Sequence, residues 1–224
     1  MKNKRIALVT GGAGFIGSHM VDLLRREGFR VRVIDNLITG RLENLQHLSN
    51  DPEVQVDTRD LCAIPPHDAV FSGVEYLFHF AGIGDIVPSI EKPLAYMTAN
   101  VLGTVHALEG CRNAGSLKKF IYAASSSCYG LARELPTRES SHIDTQYPYA
   151  LSKFQGEQAV LHWGQIYRLP VNSIRMFNVY GPRSRTTGVY GAVFGVFLRQ
   201  KLAGTPYTVV GDGEQTRDFA CPHP

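Results

Sequence analysis

Short apolar runs alternate with longer mixed stretches along most of the chain. Continuous apolar runs of this length are typical of strands that are buried on both faces of a parallel sheet. Their alternation with segments of helical length predicts an α/β fold, a doubly wound parallel sheet with helices on both faces. The six runs lie at residues 5–9, 30–34, 54–57, 76–80, 119–124 and 170–175.

Amphipathic spacing predicts helices between these strands. After the first run, apolar residues recur three and four positions apart and therefore line one face of a helix. Arg25 and Arg26, followed by Gly28, form a typical C-terminal signal, because basic side chains and a glycine suit the negative end of a helix. Further helices are predicted at about residues 93–115, 149–167 and 190–202.

A glycine-rich turn, Thr10-Gly-Gly-Ala-Gly-Phe-Ile-Gly17, joins the first strand to the first helix. Gly11 permits a tight reversal, Gly14 lets backbone N–H groups approach a pyrophosphate, and Gly17 allows close packing of helix on strand. Such a turn alone could be an ordinary glycine loop. The second strand ends in Asp35, the expected partner of a ribose hydroxyl, and its carboxylate would repel the 2′-phosphate of NADP. Together these features predict a Rossmann-type site for NAD.

The carboxyl ends of the first, second, fourth and fifth strands should meet along one edge of the sheet, since the connections are right-handed crossovers. Ligands bind at that edge in folds of this kind. The glycine turn, Asp35, Gly82 and Ser125 all fall at these strand ends. We therefore expect them to share one site.

Tyr149 and Lys153 are four residues apart at the start of the long fifth helix and share one face of it. A tyrosine with a pKa of about 10 needs roughly 4 kcal/mol to become a base near neutral pH. An ammonium about 5 Å away supplies roughly 3 kcal/mol at an effective dielectric near 20. The pair is sufficient only with the positive nicotinamide ring of NAD beside it. Ser125 would orient the substrate hydroxyl and share its proton.

Composition narrows the class of partner and the compartment. The net charge of +3 is too small to indicate nucleic acid, and no apolar stretch is long enough to predict a membrane span. The first residues run directly into a strand without a signal peptide. The four cysteines have no metal-binding spacing and are interpreted as reduced thiols, so no metal site and a cytoplasmic location are expected.

Taken together, the motifs resemble those of the NAD-dependent epimerase/dehydratase family, the extended short-chain dehydrogenases/reductases. The sequence is most similar to UDP-galactose 4-epimerases and their UDP-N-acetylhexosamine relatives. The motifs that carry this resemblance are Thr10 to Gly17, Asp35-Asn36, Asp57, His79-Phe-Ala-Gly82, Asn100, Ser125 to Gly130, Tyr149-x-x-x-Lys153 and Arg175-x-Phe-Asn178-Val-Tyr-Gly-Pro182.

The resemblance implies a role for each matching position. It implies an NAD-binding Rossmann domain over residues 1–178, a partial nucleotide-sugar-binding region over 179–224, and a homodimer formed through helices near 97–114 and 149–167. Catalysis would fall to Ser125, Tyr149 and Lys153, and a UDP-sugar would contact Ser125, Asn178 and Arg217. Besides Tyr149 and Lys153, cofactor contacts are expected at Gly11, Gly14, Phe15, Ile16, Gly17, Asp35, Asn36, Asp57, Thr58, Phe80, Ala81, Gly82 and Asn100.

Two departures from the family pattern shape the functional hypothesis. Ser126 and Ser127 stand where dehydratases carry Asp-Glu and decarboxylases a Glu, which favours 4-epimerisation of a UDP-hexose through a 4-keto intermediate. Residues 220–224 do not resemble the family's continuation after Phe219, so we expect a truncated, incomplete substrate-binding region. Two alternatives remain open: a non-catalytic NAD-binding remnant, and a nucleotide-sugar dehydratase or reductase.

Overall fold

A six-stranded parallel sheet forms the centre of the protein in the computed structural model, which describes residues 4–184, 193–209, 211–214, 216 and 218–222. The strands occur in the order β3-β2-β1-β4-β5-β6, which confirms the predicted doubly wound sheet. Their bounds are β1 Ile6–Thr10, β2 Arg30–Ile34, β3 Val54–Asp57, β4 Val74–His79, β5 Lys119–Ser125 and β6 Val171–Met176. Because β1 pairs with both β2 and β4, the strand order reverses there and opens a crevice at the carboxyl edge.

Helices cover both faces of this sheet. Leu8 points into one apolar cluster, whereas its neighbours Ala7 and Val9 point into the other, as the twofold alternation of a strand requires. All three side chains are fully buried, which explains why the strands are continuous apolar runs. The helices are α1 Phe15–Arg26, α2 Ile86–Glu91, α3 Pro93–Met97, α4 Gly103–Ala114, α5 Pro148–Tyr167 and α6 Val193–Ala203.

The helix predicted at residues 93–115 is interrupted. A π-helical turn, Thr98–Leu102, separates α3 from α4. Helix α5 crosses closely at this turn, since a Cβ placed on Gly156 would lie 2.7 Å from the Asn100 carbonyl oxygen. The Thr104 hydroxyl donates a hydrogen bond to the same carbonyl at 2.7 Å. The interruption therefore lies where two helices meet, a tertiary contact that spacing along the chain does not reveal.

Smaller elements were also missed by the sequence patterns. A 3-10 helix, Leu42–Leu48, forms between β2 and β3, where the sequence pattern predicts no regular element. Two strands of two residues each, β7 Asn178–Val179 and β8 Phe219–Ala220, pair in parallel outside the main sheet. Elements this short carry no measurable periodicity. Among the helices described, none has the length and apolar content that crossing a membrane would require.

Candidate active site

A cleft of about 1170 Å³ opens at the carboxyl edge of the sheet, where the strand order reverses. It exceeds the volume usual for small-molecule sites, as a dinucleotide together with a second ligand would require. The structure thus confirms that the glycine turn, Asp35, Gly82 and Ser125 share one site. The predicted residues that line the cleft are Gly11, Gly14, Phe15, Ile16, Gly17, Asp35, Asn36, Phe80, Ala81, Gly82, Ser125, Tyr149, Lys153 and Asn178.

The glycine turn is too closely packed to accept side chains. A Cβ at Gly17 would lie 2.1 Å from the Gly11 carbonyl oxygen, and Gly11 itself has a left-handed φ of +70°. Helix α1 begins after Gly14, and no side chain caps its N-terminus. The first amides of the helix therefore face the cleft without a side-chain acceptor, which is the arrangement that binds phosphate groups.

Asp35 lies at the tip of β2 with 8% of its surface exposed. Its carboxylate accepts backbone hydrogen bonds from Ala13 and Leu37, each at 2.9 Å. A carboxylate has about four acceptor positions, so two remain for ribose hydroxyls. A Cβ at Gly40 would lie 2.6 Å from both carboxylate oxygens, so only glycine leaves the group accessible. These features fit the adenosine ribose of NAD.

Asn44 is a cleft residue that the sequence did not indicate. Its side-chain amide donates to the Ala13 carbonyl at 2.8 Å, and the Arg41 backbone N–H donates to the same oxygen at 2.9 Å. These two bonds fix the 3-10 helix against the glycine turn. A single polar residue in a segment without periodicity gives no signal from which such a contact could be predicted.

Asp57 and Thr58 are not among the residues that line the cleft. Asp57 accepts hydrogen bonds from the Arg59 guanidinium, which lowers the pKa of its carboxyl group, and Thr58 is exposed. The cleft wall next to Asn36 is formed instead by Asp60, which accepts a hydrogen bond from the Asn36 side chain at 3.0 Å. The adenine contact assigned to Asp57 and Thr58 therefore remains a prediction.

The hydroxyls of Ser125 and Tyr149, two of the three predicted catalytic residues, are in contact. The Tyr149 hydroxyl donates to Ser125 Oγ at 3.4 Å, and Ser125 Oγ lies 2.8 Å from Ser127 Oγ. Burial raises the pKa of Tyr149, the field of Asp85 adds to this shift, and the hydrogen bond with Ser125 opposes it. The protein alone therefore does not lower the pKa of Tyr149, because burial outweighs the hydrogen bond with Ser125. The expectation that Tyr149 and Lys153 act as a base only with the cofactor beside them stays a prediction.

Lys153 lines the same cleft and is buried, with 7% of its surface exposed. Its ammonium lies 4.4 Å from the centroid of the Tyr122 ring, and burial lowers its pKa to about 8 while Glu157 opposes the shift. Glu157 in turn accepts hydrogen bonds from Arg175 at 3.0 and 3.1 Å. Arg175 also donates to the Tyr129 hydroxyl at 2.8 Å, so these contacts join α5 and β6 to the segment that follows Ser125.

Asn100 is fully buried and does not line the cleft. Its side chain accepts from the Ile83 N–H at 2.8 Å and donates to the Ile83 carbonyl and to Ser152 Oγ. Gly82 has a φ of +157°, and a Cβ there would lie 2.6 Å from Asn100 Oδ1. Asn100 thus holds the backbone after β4 in place, and a direct contact with the cofactor remains a prediction.

Asp85 closes this loop and was not identified from the sequence. It lines the cleft together with Tyr149 and has a φ of +76°, uncommon for a residue that carries a side chain. Although it occupies the N-cap position of α2, its side chain makes no capping hydrogen bond. The preceding carbonyl, of Gly84, accepts a hydrogen bond from the Tyr96 hydroxyl.

Of the two residues predicted to contact the diphosphate of a sugar nucleotide, the structure describes only Asn178. Asn178 lines the cleft, and its side-chain amide donates to the Asp218 carbonyl at 3.0 Å. Arg217 lies outside the described residues. The contact of both with a diphosphate remains a prediction.

Proteins with similar sequences are enzymes that act on sugar nucleotides, according to their names. The chain is 36% identical over 213 residues to the putative UDP-glucose 4-epimerase of Methanocaldococcus jannaschii, covering 95% of this chain and 68% of that protein. It is equally identical, 36% over 218 residues, to the UDP-glucose 4-epimerase of Mycolicibacterium smegmatis, again covering 95% and 68%. UDP-glucuronic acid decarboxylase 1 of Arabidopsis thaliana is 34% identical, with 96% of this chain and 49% of that protein covered.

Solved structures with a similar fold include two further UDP-sugar 4-epimerases. The UDP-N-acetylglucosamine 4-epimerase of Methanobrevibacter ruminantium M1 superimposes with a TM-score of 0.92 at 35% identity, covering 99% of this chain and 70% of that one. A UDP-glucuronic acid 4-epimerase from Bacillus cereus, solved with UDP-glucuronic acid and NAD, gives 0.87 at 31% identity, covering 97% and 69%. The sequence model of the NAD dependent epimerase/dehydratase family matches residues 7–221. The chain belongs to this family, whose cofactor is NAD.

Proposed function

We propose that this protein is an NAD-dependent 4-epimerase of a UDP-hexose. The observation that carries the proposal is the contact between the Tyr149 hydroxyl and Ser125 Oγ at the cleft wall. The two hydroxyls line the same cleft as the glycine turn, which supports a role in proton transfer beside the cofactor. The UDP-glucose 4-epimerases among the relatives support the nucleotide and the sugar class.

In this mechanism Tyr149 Oη takes the proton of the sugar 4-hydroxyl, and Ser125 Oγ, 3.4 Å away, orients that hydroxyl and shares the proton. Bound NAD supplies a reversible hydride acceptor for C4. The Lys153 ammonium stabilises the Tyr149 phenolate from within the buried wall of the cleft. When the 4-keto sugar has turned over, Tyr149 returns the proton to the oxygen at C4.

The residues around Ser125 favour epimerisation over dehydration or decarboxylation. Ser127 Oγ contacts Ser125 Oγ at 2.8 Å, so a neutral hydroxyl occupies the position where the related decarboxylases and dehydratases need an acid. Elimination of water from neighbouring carbons requires a further acid and base. Oxidation and re-reduction at one carbon needs only the tyrosine and the cofactor.

We propose the same division of the chain that its motifs predict. Residues 1–178 would form the NAD-binding domain and residues 179–224 part of the nucleotide-sugar region. Support comes from the cleft wall, which includes Asn178, Arg183, Ser184 and Phe219 beyond the main sheet.

We further propose a homodimer through α4 and α5. Apolar side chains are exposed just before α4 and in the C-terminal half of α5. Leu102, Leu161 and Ile166 are 47%, 44% and 55% exposed. Light scattering of the purified chain tests this assembly.

The activity test incubates the NAD-loaded chain with UDP-glucose, UDP-galactose and UDP-N-acetylglucosamine and identifies the products by NMR. We expect interconversion of a pair of 4-epimers without net consumption of NAD. A 4-keto-6-deoxy sugar as the product would instead establish dehydration. NAD binding by calorimetry with no binding of any UDP-sugar would refute the proposal.

A further inference from the structure

Ser127 carries a hydroxyl beside the site to which the proposed mechanism gives no part in proton transfer. Its Oγ lies 2.8 Å from Ser125 Oγ, a distance typical of a hydrogen bond between two hydroxyls. Ser127 is not among the residues that line the cleft, whereas Ser125 and Tyr149 are. Any effect of the Ser127 hydroxyl on the chemistry therefore passes through Ser125.

The backbone fixes the position of Ser127 relative to Ser125. Ser125 ends β5 and caps the 3-10 helix Ser126–Tyr129, and its Oγ accepts the Ser127 backbone N–H at 3.2 Å. At the other end of this helix Tyr129 is buried, and its hydroxyl accepts a hydrogen bond from Arg175 at 2.8 Å. Capping uses only the backbone N–H of Ser127. The bond between the two serine hydroxyls is therefore an addition to the cap.

The hydrogen-bonding capacity of Ser125 determines which serine is the donor. A serine hydroxyl has one proton and two acceptor positions. Ser125 Oγ accepts from the Tyr149 hydroxyl at 3.4 Å and from the Ser127 N–H at 3.2 Å, which fills both positions. Its own proton is then directed to its third neighbour, Ser127 Oγ. With Tyr149 neutral, the hydroxyl protons thus point from Tyr149 to Ser125 and from Ser125 to Ser127.

This direction must reverse when Tyr149 is a phenolate. A phenolate oxygen has no proton to donate, and a hydrogen bond from a neighbouring donor stabilises its charge. Ser125 supplies that bond by turning its proton from Ser127 to Tyr149. One acceptor position of Ser125 is then empty, and the Ser127 hydroxyl fills it by turning its own proton. Neither serine loses a proton, and Ser125 keeps three hydrogen bonds in both states.

We propose that Ser127 is a positioning residue that allows the Ser125 hydroxyl to change from accepting a hydrogen bond of Tyr149 to donating one to its phenolate. The inference rests on the proposed function, in which that phenolate takes the proton of the sugar 4-hydroxyl. A hydroxyl that accepts a hydrogen bond is polarised and becomes a stronger donor. Loss of the Ser127 hydroxyl weakens both states, but it weakens the phenolate more, because bonds to a charged group are stronger.

Other groups around Tyr149 also influence its ionisation. Burial raises the pKa of Tyr149, and the field of Asp85, in the loop after β4, adds to this rise. Lys153 is buried on the same helix, and the Tyr96 ring packs edge-on against Tyr149 with centroids 6.3 Å apart. On β5, Tyr122 has a pKa that is raised by burial and by the charge of Tyr149. A substitution at position 127 replaces none of these groups.

The test titrates Tyr149 in the NAD-saturated protein through the near-ultraviolet absorbance of the phenolate. The titration of the same protein with Tyr149→Phe is subtracted, which isolates this tyrosine. Ser127→Ala should raise the pKa of Tyr149 by about 0.5, the size expected for the loss of one cooperative hydrogen bond. In the epimerase assay, kcat below this pKa should fall about threefold. KM should stay unchanged, because Ser127 does not line the cleft.

Two further variants separate the hydroxyl from the packing of the side chain. Ser127→Thr keeps the hydroxyl and should titrate as the wild type does. Ser126→Ala is the matched control, since Ser126 belongs to the same 3-10 helix and takes no part in the chain of hydroxyls. It should leave the pKa of Tyr149 and kcat unchanged.

An unshifted titration of Tyr149 in Ser127→Ala overturns the inference, and so does an equal shift in Ser127→Thr. The absorbance titration needs no substrate, so its result does not depend on turnover. If the wild type epimerises no UDP-sugar while Ser127→Ala still shifts the titration, the proposed function fails and the role of Ser127 in orienting Ser125 stands.

Discussion

The ammonium of Lys153 lies over the ring of Tyr122, 4.4 Å from its centroid, in the buried wall of the cleft. Burial lowers its pKa to about 8, while Glu157, one helical turn further along α5, opposes that shift. An ammonium that is desolvated and close to losing its proton interacts more strongly with a nearby phenolate than a solvated one would. In the proposed mechanism, the Tyr149 phenolate is thus stabilised by an ammonium that burial itself destabilises.

The first prediction concerns this charge. If the Lys153 ammonium stabilises the Tyr149 phenolate, kcat/KM should fall as the pH rises through about 8, where Lys153 loses its proton. Glu157→Gln removes the carboxylate that favours the charged form, so the fall should move to lower pH. Glu43→Gln, a change at an exposed acid, should leave the profile in place. An unchanged profile in Glu157→Gln would contradict this role for Glu157.

Tyr149→Phe should lower kcat by about 10²- to 10⁴-fold, the usual contribution of a positioned acid or base. The affinity for NAD should stay within about threefold, because the ring remains in place and the variant lacks only the hydroxyl that contacts Ser125. Tyr147→Phe is the matched control, since Tyr147 is half-exposed and precedes the same helix. Equal activity of the two variants would exclude Tyr149 as the proton-transferring group.

Asp35→Ser should reduce discrimination between NAD and NADP. The carboxylate that accepts N–H groups from Ala13 and Leu37 would repel a 2′-phosphate, and serine removes that charge. We expect the wild type to bind NAD at least about tenfold more tightly than NADP, and the variant to show a smaller preference. Asp60→Ser tests an acid of the same cleft wall and should retain the preference. Calorimetric titration with both nucleotides gives the two ratios.

Gly17→Ala should abolish measurable binding of NAD and lower the melting temperature. The added methyl group would lie 2.1 Å from the Gly11 carbonyl oxygen, so the glycine turn must open to admit it. Gly103→Ala is the control, because its Cβ would find neighbours no closer than 3.7 Å and alanine favours the helix. Binding of NAD by Gly17→Ala with wild-type affinity would show that the turn is not the nucleotide site.

His79 makes stability depend on pH. Its ring is fully buried between hydroxyls of Thr10 and Thr104, at 2.6 and 2.9 Å, and burial lowers its pKa from 6.5 to about 3. Between these values the unfolded chain binds a proton that the folded chain does not, so the free energy of unfolding falls as the pH falls from 6.5 towards 3.

Urea unfolding at pH 7.5 and pH 5 measures this effect. The loss of stability between the two should be about 2 kcal/mol larger in the wild type than in His79→Asn, which has no titrating ring. His142→Gln, at an exposed histidine, should lose as much as the wild type. Equal losses in the wild type and His79→Asn would show that His79 does not remain neutral in the folded protein.

Local patterns in the sequence determined the fold class, the glycine turn and the family. Six buried strands produce six continuous apolar runs, and the glycines of the turn are required by contacts within a few residues, such as that of Gly17 with Gly11. Asp35 could be found because a strand end fixes its position relative to that turn. Tyr149 and Lys153 could be paired because one helical turn separates them.

Only the tertiary structure decided the environment of these residues. Burial raises the pKa of Tyr149 and lowers that of Lys153, and burial depends on which segments pack together, not on spacing along the chain. Asn100 proved to support the loop after β4, because a π-helical turn directs it to Ile83. Asp85 lies at the cleft wall with a φ of +76°, a conformation that residues with a side chain rarely adopt. Long-range contacts set these features, so they are visible only in the folded chain.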